Sequence, residues 1–101
     1  MRIMTIAIAT TALAGVASAA LTHYVGQELA GHTKVTMATA RATALKAHPG
    51  RITDAELEKE GGGSGLRYSF DIKARGHTFE VGVDAMTGAV LENKKEGKNP
   101  D

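Results

Sequence analysis

The sequence predicts an α+β domain, with one N-terminal α-helix packed on a small four-stranded antiparallel β-meander, preceded by a signal peptide. Three observations point to it. Residues 66–90 carry two runs of strict alternation around an Arg75-Gly76 turn, a strong short-range signal for an antiparallel hairpin. Residues 36–48 place Met37, Ala40, Ala44 and Ala47 on one face at 100° per residue. Residues 3–16 are apolar or small, follow Arg2 and precede Ala17-Ser18-Ala19.

The N-terminal segment has the three parts of a secretory signal: Arg2 as the positive region, an apolar stretch, and a small-x-small site that sets cleavage after Ala19. The competing expectation is an uncleaved membrane anchor, but Thr, Ser and Gly dilute the stretch. Cleavage leaves 82 residues, with 11 basic and 11 acidic, and places the protein in the periplasm or the medium. The chain contains no cysteine, so disulfides, thiolate zinc sites and thiol nucleophiles are excluded. Near-neutral charge and only four aromatics (Tyr24, Tyr68, Phe70, Phe79) argue against a nucleic-acid partner.

Residues 20–33 lack sustained periodicity and are expected to form a linker or N-terminal arm, with Tyr24, Val25 and Leu29 available to dock. Thr36 then supplies an N-cap hydroxyl for the helix, and Val35 and Ala40 stand where a hydrophobic staple forms. Thr39 occupies the position where a capping box wants Glu or Gln. The alanine face lets the helix axis approach a sheet that carries the larger side chains. Pro49-Gly50 ends the helix.

Residues 51–60 read as the first strand, with Ala55 and Leu57 inward and Asp54, Glu56 and Glu58 outward. Residues 61–65, Gly-Gly-Gly-Ser-Gly, read as a flexible loop; without a Lys-Ser/Thr pair or a following helix they make no phosphate cradle. A two-residue turn at Arg75-Gly76 sets Ile72 opposite Phe79, Phe70 opposite Val81 and Tyr68 opposite Val83 on the core face. On the other face it sets Arg67 against Asp84, a favourable pair, and Asp71 against Glu80, an unfavourable one that Lys73 is expected to relieve diagonally. Gly82 leaves a gap there and marks a bulge. Asp84 and Gly88 bracket the next turn. The last strand is expected over residues 89–93 with Val90 or Leu91 inward, followed by a polar, disordered tail.

This ordered set of segments resembles the PepSY family. The resemblance runs over residues 34–93: the Thr-capped alanine-rich helix ending in Ala47-His48-Pro49-Gly50, then Ala55-Glu56-Leu57-Glu58 and Tyr68-Ser69-Phe70-Asp71-Ile72. It continues through Phe79-Glu80-Val81-Gly82-Val83-Asp84-Ala85 and Thr87-Gly88-Ala89-Val90-Leu91. The resemblance implies one helix on a small antiparallel sheet, and a non-catalytic module that inhibits or regulates peptidases outside the cytoplasm. No catalytic residues come with it. The 101 residues contain no His-Glu-x-x-His, so any peptidase acted on is expected to be a separate molecule.

No catalytic, cofactor or metal site is expected from the residues themselves. His23, His32, His48 and His77 lack ligand spacing, and no Gly-x-Ser-x-Gly elbow occurs. Glu56, Glu58, Glu60, Asp71, Glu80 and Asp84 are expected on a solvated face or edge, without the dry pocket that acid catalysis requires. The candidate interaction surface is the outer sheet face: Arg67, Asp71, Glu80, Gly82 and Asp84. Its expected partner is another protein, such as a peptidase. The alternative is a small ligand or metal ion of the cell envelope.

Overall fold

A computed structural model describes residues 23–97. The signal segment and cleavage site lie outside the described residues, as does the end of the polar tail. The architecture follows the predicted α+β class. Helix α1 (Met37–Ala47) precedes strands β1 (Arg51–Lys59), β2 (Leu66–Ala74), β3 (His77–Asp84) and β4 (Val90–Lys95). The strands form one antiparallel sheet in the order β1-β2-β3-β4.

The central hairpin has the predicted register: Tyr68 faces Val83, Phe70 faces Val81 and Ile72 faces Phe79. Arg75 and Gly76 both take positive φ, 52° and 79°, which matches the turn's twist to that of the strands. Tyr68, Phe70, Ile72, Val81, Val83 and Leu57 are buried against Met37, Ala40 and Ala44 of α1. Ala40 and Ala44 are wholly inaccessible, so the small side chains let the helix lie directly on the sheet. Thr36 caps the helix: its Oγ1 accepts the Thr39 N–H at 3.1 Å and donates to the Thr39 hydroxyl at 3.2 Å. His48 ends it, with its ring stacked on Phe79 at a centroid distance of 3.9 Å.

Helix α1 lies over β2, β3 and β4, which leaves the inner face of β1 to the N-terminal arm. Residues 27–32 form a 3-10 turn (Gln27–His32), and Tyr24 and Leu29 pack on the core. Val25 adds to the outer edge of β1 as a parallel bridge to Glu56, its carbonyl accepting the Leu57 N–H at 2.8 Å. At Gly26, φ is +88°, and a Cβ there would collide with the Leu57 carbonyl. The segment expected as a linker or arm is therefore a docked arm. Further on, the Tyr68 hydroxyl donates to the Val35 carbonyl at 2.6 Å, tying the helix entry to β2.

Two expectations for the sheet need correction. β4 continues to Lys95, and the Glu96 N–H still donates to the Thr78 carbonyl, so residues 94–96 belong to the sheet and not to a tail. Neither Val90 nor Leu91 enters the core. Val90 is 43% exposed, and Leu91 is the extra residue of a bulge opposite Gly82/Val83. Asn93 is the β4 residue opposite Val81, and its amide donates to the Ala47 carbonyl at the end of α1. A second bulge, at Thr53, shifts the β1–β2 register.

Candidate functional site

The outer sheet face is built in rungs set by strand register. Glu58, Arg67 and Asp84 form one; Glu56, Ser69, Gly82 and Glu92 the next; Asp54, Asp71, Glu80 and Lys94 a third. The predicted surface residues do share this face, but it is less open than expected. Arg67, Gly82 and Asp84 are buried, while Asp71 and Glu80 are half-buried. The reason is that Arg67 lies flat across Gly82, where a Cβ would stand 3.0 Å from its Nη1. The gap left by the glycine is filled by the guanidinium.

Arg67 and Asp84 sit opposite one another in register, yet they do not pair through their side chains. Arg67 reaches over Gly82 to Glu92, Nη1 to Oε1 at 3.2 Å, and donates from Nη2 to the Gly61 carbonyl at 3.1 Å. Its Nε is buried without a partner. Asp84 turns the other way and gathers two loops. Oδ2 accepts the Ser64 N–H at 2.7 Å, and Oδ1 accepts the Ser64 hydroxyl at 2.8 Å and the Met86 and Thr87 N–H groups at 2.8 and 3.0 Å. Burial pushes the Asp84 carboxyl up, but the hydrogen bonds from Ser64, Met86 and Thr87 outweigh that penalty and hold it well below the ordinary Asp range.

The glycine loop is consequently anchored, contrary to the expectation of a flexible connection. Ser64 is tied to Asp84 twice, and Gly65 N–H closes back on the Gly62 carbonyl at 3.1 Å. Gly63, with φ +57°, passes so close to Asp84 and Leu91 that a side chain would strike both. Its glycines serve a tight reversal, not looseness.

The third rung concentrates like charge. Asp54, Asp71 and Glu80 stand directly opposite one another across three strands. The Glu80 carboxyl is raised by burial first, then by Glu92, Asp71 and Glu96; Lys94 alone offsets this. Glu96 is raised by burial and by Asp71, with Lys73 opposing. Relief at Glu80 thus comes from Lys94 across the β3–β4 ladder, while Lys73 acts on Glu96. Among the described residues no three His or carboxylate side chains converge to hold a metal ion.

The histidines are dispersed: His48 stacks on Phe79, His77 is exposed at the hairpin turn, and His23 and His32 line two separate shallow clefts. No helix among the described residues is long and apolar enough to cross a membrane.

A capped helix on a four-stranded meander, with these segments in this order, can be compared with known proteins. The family model described as "Peptidase propeptide and YPEB domain", PepSY, matches residues 34–94. The chain belongs to the PepSY family. No curated protein and no solved structure matches it. The matched residues run from the helix entry to β4, so the PepSY unit coincides with the helix and sheet, and the docked arm precedes it. Its domain is peptidase-propeptide-like.

Within this PepSY domain the sequence reading missed the Ser64–Asp84 tie and the Arg67–Glu92 pair. The first had a usable signal: a lone Ser inside a glycine run, and an Asp that opens an Asp-x-x-Thr-Gly turn. The second had none, because it depends on a bulge that brings Glu92 beside Gly82.

Proposed function

We propose that this protein is an exported, non-catalytic PepSY module that binds a separate protein outside the cytoplasm and regulates it, the partner being a peptidase. The match to the peptidase propeptide domain over residues 34–94 carries this reading. Two further features support it. The sheet is stiffened by buried polar ties, as a recognition surface requires. The outer face offers part-exposed carboxylates, Asp71 and Glu80. The signal-like N-terminus supports export, and a non-catalytic role accords with the lack of a nucleophile elbow in the sequence.

The test is inhibition of a co-exported metallopeptidase of the thermolysin type by the purified protein, read as hydrolysis of a fluorogenic peptide. The expected result is saturable slowing that weakens when Asp71→Lys and Glu80→Lys are introduced together. A hydrolysis rate unchanged in large molar excess of the protein, together with no peptidase recovered by crosslinking from envelope extract, would remove the peptidase from the proposal.

A further inference from the structure

The inner face of the sheet is incompletely covered at one corner. Helix α1 spans β2 to β4, and β1 is met by the 3-10 turn and, along its edge, by Val25. Between that turn, the glycine loop and the β1–β2 hairpin lies a shallow cleft of about 320 Å³, lined by Leu29, His32, Lys59, Ser64, Gly65 and Leu66. We infer that this cleft is a binding site for the C-terminal residue of a peptide: a free carboxylate at Lys59 and His32, with an apolar side chain on Leu29 and Leu66.

The composition of the cleft follows from strand parity. Lys59 is opposite Leu66 in the β1–β2 ladder, on the same face as Leu57 and Tyr68. It is a cation placed on the apolar side of the sheet. Its acidic neighbours Glu58 and Glu60 alternate to the opposite face. Glu28, on the 3-10 turn, does not line the cleft. Lys59 takes part in neither of the ion pairs among the described residues, Arg67–Glu92 and Lys94–Glu92. The charge balance inside the cleft is therefore positive, over a floor of two half-buried leucines.

The walls are fixed. The Ser64 hydroxyl is committed to Asp84, the Leu66 carbonyl accepts the Ala85 N–H, and the Glu60 N–H donates to the Gly65 carbonyl. At the edge itself the Lys59 N–H points away from β2, because β1 alternates and the Leu57 N–H already faces outward to Val25. A chain end laid along this edge finds a backbone donor, a side-chain cation and an apolar floor together. A long acyl chain would find the donor and the cation, but a floor only two leucines wide.

The site stands on this geometry alone and does not depend on the partner being a peptidase.

The test uses the ¹⁵N-labelled full chain titrated with N-acetyl-Gly-Gly-Leu, with the same peptide as its C-terminal amide, and with octanoate. Saturable shifts of the His32, Lys59, Gly65 and Leu66 amides by the free acid are expected in the millimolar range. The amide should bind about tenfold more weakly, the loss of one charge-assisted contact. Lys59→Met should weaken the acid about tenfold while leaving Tm unchanged, and Lys94→Met should have no effect on binding. Three results would overturn the assignment: equal titration by acid and amide, shifts confined to the outer face or absent, or tighter binding of octanoate than of the peptide.

Discussion

Asp84 is the residue whose loss should cost the fold most for its size. It is 1% exposed and accepts four hydrogen bonds: the Ser64 N–H and hydroxyl, and the Met86 and Thr87 N–H groups. Asp84→Ala strands three backbone donors at once. Each bond to a charged acceptor contributes about 1.5–3 kcal/mol, and water entering the loop recovers part, so the total loss is about 3–5 kcal/mol. In a domain of this size each kcal/mol moves Tm by about 4–8 °C, so Tm should fall by at least about 12 °C. Asp84→Asn keeps the shape but leaves one carbonyl for four donors and turns an amide toward them, for a loss of about 2 kcal/mol.

The pH dependence of the same residue gives an independent check. The folded-state carboxyl is held below its ordinary value, so its contribution is fully present above the unfolded value of about 4. It is lost as the pH falls from there toward the folded value. The gap between wild type and Asp84→Asn should therefore be constant from pH 5 to 7 and narrow below about pH 4. Thermal unfolding followed by circular dichroism at each pH measures both effects. An Asp84→Asn protein that melts within about 2 °C of wild type at pH 7 would refute the claim that this carboxylate holds the two loops together. So would a gap that stays constant down to pH 2.

Three further outcomes follow from the same face and loop. Gly63→Ala, at φ +57° and with its new methyl against Asp84 and Leu91, should destabilise the fold by about 2 kcal/mol or more in denaturant titration. Gly61→Ala, with nothing within 4 Å of its added carbon, should stay within about 0.5 kcal/mol of wild type. Glu80→Gln should stabilise by about 0.5 kcal/mol at pH 7, because it removes a like-charge opposition. The folded-state value of Glu80 is raised, so the penalty exists above it and is absent below the unfolded value. The gain should accordingly vanish near pH 4, as a Tm series on both proteins would reveal.

Much of the fold was legible because its determinants are local. Alternation in residues 66–74 and 77–84, with a turn that accepts two positive φ angles, specified the hairpin and its register. Thr36 and Pro49-Gly50 bounded the helix, since a cap hydroxyl and a missing N–H act within one turn of themselves. The outer face was legible only as a set of residues. That Arg67, Gly82 and Asp84 share it follows from parity; that they are buried does not.

Local chain chemistry sets which residues take which backbone state, and so which face each strand residue occupies. Packing between distant elements sets whom the polar side chains meet. Ser64 joins Asp84 across 20 positions, Arg67 passes its cross-strand neighbour for Glu92, and Val25 closes the edge of β1. These choices depend on two bulges and a docked arm, which move atoms by a few ångströms between elements far apart in the chain. Hydrogen bonds and ion pairs are decided at that scale, and backbone periodicity carries no information about it. The corner cleft has the same origin. It exists because helix α1 packs on β2, β3 and β4, and the 3-10 turn covers β1 only in part.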